Sequence, residues 1–169
     1  MQIKSKTKKI PLTQGKFATV DAANYEELNQ HKWFAMKHRN TYCAQRHIMR
    51  NSKRTTILMH YEILCVPHRT QINHRNGNHL DNRKSNLRIS TRKQSAYSAR
   101  KRKNCTSRYK GVCWNKKRKK CVASIRCDYK PYHLGYFDDE MEAARAYDSK
   151  ALELFGEFAR LNFPEGRVA

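Results

Sequence analysis

Apolar and polar positions alternate along Lys32–Met36 and again along Thr41–Met49, and that period of two predicts strands, with Asn40 as the turn between them. Upstream, IPLTQGKFATV reads as a turn and a strand. Asp21 then precedes NYEELNQ, where Glu26 and Glu27 near the start of a short helix suit its positive end. ILMHYEIL, residues 57–64, is apolar around one histidine and fits either a strand end or a short helix, stopped before Pro67. The second half is more regular. Tyr109–Trp114, Cys121–Arg126 and Tyr132–Phe137 are three strand-like runs separated by turns rich in Lys, Asp or Pro. Over 138–155 the period becomes helical, with Ala144, Tyr147, Ala151 and Phe155 on one stripe. Asp139 and Glu142 form a capping-box pair at its start, and Gly156 stops it.

A three-stranded antiparallel sheet packed on one amphipathic helix is the unit this pattern predicts for residues 109–165. Residues 98–108, SARKRKNCTSR, lack large apolar side chains, carry five basic ones, and read as a linker.

Charge sharpens the picture. The 169-residue chain carries 36 Lys and Arg against 14 Asp and Glu, a net charge of +22. Between Asn82 and Cys127 there are 17 basic residues and no acidic one. The last 42 residues reverse the balance, with nine acidic and five basic. A basic middle backed by a neutral-to-acidic element predicts one cationic face, a polyanion partner and salt-dependent binding. No apolar run approaches the roughly 18 residues of a membrane span. The basic start MQIKSKTKKIP has no apolar stretch after it, so no secretion signal is expected and a cytoplasmic protein is. None of the six cysteines forms a C-x-x-C pair, which predicts reduced thiols rather than a zinc site.

YKGVCW, ASIR and HLGYFDDEMEAARAYDSKALELFGEFARLNFP, spanning Tyr109 to Pro164, resemble the ethylene-response-factor (Apetala-type) DNA-binding domain. That resemblance implies a sheet laid in the DNA major groove. The positions it assigns to DNA contact are Lys110, Trp114, Lys117, Arg118, Ser124, Arg126, His133 and Tyr136. Cys113 and Asn115 stand where the plant members commonly have Arg, so their sequence preference does not transfer.

MH at 59–60 and NHRNGNHLDNRKSNLR at 73–88 resemble the HNH motif of homing endonucleases of phages and mobile elements. The resemblance implies a ββα-metal site over residues 1–97, in which one divalent ion, Mg²⁺ or Mn²⁺, assists hydrolysis of a phosphodiester. It makes His74 the general base and Asn86 the residue that pins the loop. His60 becomes a second active-site histidine or a packed one, and Arg83 a phosphate contact. Asn73 and Ser95 fall at the metal positions, where an amide and a hydroxyl offer a hard cation no charge. His79 is expected in an exposed turn.

The expected fold class is therefore α+β, a ββα-metal (HNH) nuclease module followed by a three-stranded antiparallel sheet on one helix. The expected function is sequence-directed cleavage of duplex DNA in a phage-infected or bacterial cell, by a monomer or weak dimer. The alternative is a DNA-binding or regulatory protein that retains the fold without cleaving. RNA binding through stacked aromatics finds little support, since no RNP-type motif is present.

Overall fold

Two-residue periodicity dominates the folded chain. A computed structural model describes residues 6–38, 41–101 and 105–164. The turn residue Asn40, linker residues 102–104 and the last residue of the expected 109–165 domain lie outside the described residues. The chain divides into two compact units, Met1–Thr91 and Arg92–Ala169.

In the first unit, Thr7–Pro11 (β1) pairs antiparallel with Phe17–Asp21 (β2). Gln14 and Gly15 turn the hairpin at φ 61° and 63°. Ile10, Ala18 and Val20 point into the core from its inner face. Helix α1, Ala22–Asn29, follows at once. Glu26 and Glu27 fall past its first turn, and Asp21 at its N-cap makes no capping bond there. The Asp21 carboxylate instead accepts the Lys84 amide at 2.8 Å. Trp33 closes this corner by donating Nε1–H to Leu28 O at 2.7 Å. Phe34–His38 (β3), Thr41–Arg50 (β4) and Lys53–Leu58 (β5) form an antiparallel sheet in that order. Residues 57–64 resolve as both expected forms, the end of β5 and then the helix Met59–Leu64 (α2). Ile72–His74 (β6) and Leu87–Ile89 (β7) make a further two-stranded ladder. Met59, Ile63 and Leu87 join the same apolar core.

In the second unit, Arg92–Tyr97 (α3) precedes Val112–Asn115 (β8), Lys120–Cys127 (β9) and Lys130–Phe137 (β10), paired antiparallel in the order β10-β9-β8. Along β9 the side chains alternate. Cys121, Ala123 and Ile125 are buried, and Ser124 and Arg126 are exposed. The helix Glu140–Phe155 (α4) covers the buried row with Ala144, Tyr147, Ala151 and Phe155. Asp139 caps it by accepting the Glu142 amide at 3.0 Å, and Gly156 ends it at φ 51°.

The expected fold class is overturned. Among the described residues strands prevail, ten of them in four small antiparallel sheets, against helices of 8, 6, 6 and 16 residues, and this does not match a ββα-metal module followed by one sheet. Helix α3, which follows β7 in sequence, packs within the second unit. The physical reason lies in Tyr97. Its ring stacks on Phe155 with centroids 3.9 Å apart, and its hydroxyl donates to Asp128 at 3.2 Å. Burying aromatic surface of this size outweighs the weak preference of a six-residue helix for any other neighbour.

Candidate active site and nucleic-acid interface

His74 ends β6 and is 4% exposed. Its Nε2 lies 3.4 Å from Asn82 Oδ1, which only accepts, so this contact favours the ring proton on Nε2. His60, from α2, meets His74 edge-on at 5.4 Å between centroids. His79 stacks on the other side of His74 at 4.8 Å. It is half-buried rather than exposed, and Cys43 Sγ lies 3.6 Å from its Nδ1. These groups line one cavity of about 490 Å³, together with Tyr61 and Arg69. Arg69 reaches that wall with φ at 83°, a backbone state that costs a non-glycine residue roughly 1–2 kcal/mol.

Burial, the His74 charge and then the His79 charge push the His60 pKa down to about 3. Burial and His79 push His74 down to about 4, against the opposing pull of Asn82 and Asp81. Both rings are therefore neutral at pH 7. In the unfolded chain they titrate near the ordinary value of about 6.5. On acidification the unfolded state takes up protons first, so the folded unit loses stability as pH falls from about 6.5 to about 3–4. The paired carboxylate of Asp81, held below its usual range chiefly by Arg83, adds to the loss at the acid end. Thermal melts across this window are expected to show the first unit weakening by a few kcal/mol in order of magnitude. The His60→Leu variant should flatten the slope above pH 4.

The loop that carries these groups is tied at many points. Asn86, 6% exposed, donates Nδ2–H to Asp81 O at 2.7 Å and accepts the Asn76 amide at 3.0 Å. Strand β2 grips the same loop through Thr19 N to Leu80 O and Asn82 N to Thr19 O, both 2.8 Å. Arg83 makes a fork to Asp81, Nε to Oδ1 at 2.7 Å and Nη2 to Oδ2 at 2.6 Å. Its planar donors are thus engaged within the loop, which makes it a brace rather than an outstretched phosphate contact.

The first expected metal position is already engaged within its own unit. Asn73 Oδ1 accepts Arg88 Nε–H at 2.9 Å across the β6–β7 ladder, so a fixed cation already holds the oxygen assigned to the ion. Ser95 sits on α3 in the second unit. Among the described residues no three His, Cys, Asp or Glu side chains converge to hold a metal. The buried Asn82 Nδ2, without a partner among the described residues, is a donor and suits an acceptor rather than a cation. The donor set present does not fit the divalent ion.

On the second unit, Ser124 and Arg126 stand on the exposed face of β9, and His133 pairs with Ser124 across the ladder. Tyr136 is 38% exposed, lies against His133 at 4.8 Å, and carries the Arg118 guanidinium 4.4 Å over its ring. Lys117 is exposed in the preceding turn. These six residues form a continuous polar, cationic and aromatic surface suited to phosphates and base edges. Lys110 and Trp114 depart from it. Lys110 turns inward, its Nζ donating to Tyr97 O at 2.6 Å, and burial followed by the Arg160 charge lowers its pKa to about 8. Trp114 is in register with the buried Cys121, at the sheet edge and 44% exposed. Among the described residues no helix is long and apolar enough to cross a membrane.

Asn82 and His79 escape sequence reasoning as partners of His74, and Cys43 and Arg69 as residues of its cavity. Only the N-x-x-x-N spacing of Asn82 and Asn86 within a polar loop hinted at the pinned turn. No protein-family model matches the chain, and no solved structure does. Over 95 residues it is 30% identical to Protein 3.8 of Escherichia phage T7, a match that covers 56% of this chain and 78% of that protein.

Proposed function

The chain belongs to the same family as Protein 3.8 of Escherichia phage T7, and we propose, from its own cavity and charge, that it is a DNA endonuclease acting on duplex DNA in a phage-infected bacterial cell. One observation carries the reading. His74 is a buried neutral imidazole, oriented by Asn82, on the wall of a cavity in a chain of net charge +22. A neutral imidazole with a fixed tautomer can take a proton from water as it attacks phosphorus. Arg69, on the same wall, supplies positive charge for the phosphate. The exposed row of Arg118, Ser124, Arg126, His133 and Tyr136 holds the duplex, and Asn86 and Arg83 keep the loop in shape.

Arg88 on Asn73 favours a second reading, a DNA-binding protein that does not cut. Supercoiled plasmid and phage genomic DNA incubated with purified protein in Mg²⁺, in Mn²⁺ and in EDTA separate the two. Nicked or linear product is the expected result, and product that persists in EDTA would mean that no divalent ion is needed. Tight duplex binding with no product in any condition would overturn the endonuclease reading in favour of the second.

A further inference from the structure

A second cationic feature lies away from the exposed sheet row. Arg100, Lys101, Arg108, Lys110 and Arg160 line a cleft of about 400 Å³ with Asn162. Among the described residues that line it there is no carboxylate. Glu140 reaches only Arg108, at 3.5 Å. The buried Asp148 is engaged elsewhere. It accepts Asn162 N at 2.8 and 2.9 Å, Asn162 Nδ2 at 2.9 Å and Phe163 N at 2.8 Å.

Those bonds give the cleft fixed walls. Asn162, held by Asp148, accepts the Lys110 amide at 2.7 Å and donates to the Lys110 carbonyl at 3.1 Å. The segment bearing Arg160 is thereby stapled to the strand entry bearing Lys110. Like charges gathered this way repel. Burial and then Arg100 lower the Arg160 pKa, and Arg160 in turn helps burial lower that of Lys110. A folded unit bears such repulsion more easily when an anion sits among the cations. Two or more guanidinium groups facing one cleft match the tetrahedral oxygens of phosphate, which they bind in forked pairs.

We propose that the cleft between Arg100, Arg108 and Arg160 is a phosphate-binding site, occupied by a backbone phosphate of the DNA. That source rests on the DNA-binding part of the function proposed above. The contact adds affinity without sequence preference, because phosphates carry no base information.

The test uses the full chain and an Arg100→Gln/Arg160→Gln variant, with Arg100→Lys/Arg160→Lys beside it and a thermal melt to confirm folding. Duplex affinity is measured by fluorescence anisotropy against salt concentration, and melting temperature against inorganic pyrophosphate. The Gln variant is expected to lose affinity equally for unrelated duplexes and to reduce the salt slope by about 1. The Lys variant should keep the slope. Pyrophosphate should raise the melting temperature of the natural chain and not that of the Gln variant. An unchanged salt slope in a folded Gln variant would overturn the proposal. If the natural chain binds no duplex, the function proposed above fails. The cleft then stands as a free-phosphate site if pyrophosphate protects the natural chain alone, and falls if it does not.

Discussion

Replacing His74 by alanine is expected to lower DNA cleavage by about 10²–10⁴-fold while leaving duplex affinity within about twofold of the natural protein, since loss of a positioned base costs roughly that much rate. His74 is 4% exposed and faces the cavity that holds His60 and His79. The function proposed above assigns duplex binding to the exposed residues of the second unit, so binding should survive. Alanine leaves a void beside two rings, and a stability loss could imitate a catalytic one. His74→Gln fills more of that space without supplying a base of comparable strength, and should be equally inactive with a near-natural melting temperature. Cleavage by His74→Gln within a few-fold of the natural rate would remove His74 from the chemistry. The pH profile adds a second check. With the free-enzyme pKa near 4, kcat/KM should not fall between pH 7 and 5.5, where an ordinary histidine near 6.5 would begin to protonate.

Asn82 can be tested through the same ring. It is 1% exposed, and its Oδ1 is what selects the tautomer of His74. Because its effect runs through His74, a change at Asn82 should reduce kcat more than it raises KM.

What the sequence made legible was local. The period of two in β9 separates Cys121, Ala123 and Ile125 from Ser124 and Arg126 without reference to any other segment. The stripe through Ala144, Tyr147, Ala151 and Phe155 needs only the helical repeat and Gly156 to end it. Fold class was not local and was misread. RKQSAY has one strongly apolar anchor, Tyr97, and its allegiance is settled by Phe155, far along the chain. The site divides in the same way. Asn86 as a loop brace lies within one polar stretch. Cys43 meets His79 across 36 residues, and Arg69 reaches the cavity only through a left-handed backbone state. Neither leaves a periodic trace. Lys110 shows how position-to-position matching misses side-chain direction, since it is half-buried and lines a cleft rather than standing in the exposed row. A nearby backbone carbonyl, Tyr97 O, draws its amine inward instead.

Gly111→Ala is expected to destabilise the second unit by about 2–4 kcal/mol, from overpacking of roughly 1–3 and a positive-φ cost of about 1. Gly111 sits just before β8 at φ 80°, and its carbonyl accepts the Ser124 amide at 2.8 Å. A Cβ there would lie 1.9 Å from Tyr147 Cδ2 and 2.3 Å from Cε2. The ring has little room to retreat, because Tyr147 is 3% exposed and packs with Ile125, Ala151 and Phe155. For a unit of this size the loss corresponds to a melting temperature lower by about 10–20 °C. Gly156→Ala is the control. It shares the positive φ, at 51° with ψ at −130°, but a Cβ there meets nothing within 4 Å, so it should cost only the backbone strain, about 1–3 kcal/mol, with no dependence on Tyr147. Equal effects of the two substitutions would show that the Tyr147 contact is not a tight one. A double variant with Tyr147→Leu distinguishes the clash directly. Removing the ring's edge makes the Gly111→Ala cost smaller than in the natural background, a non-additivity that only touching residues produce. Loss of duplex affinity should track the loss of fold in this series, because the residues proposed to hold DNA stand on the sheet whose other face Tyr147 helps to cover.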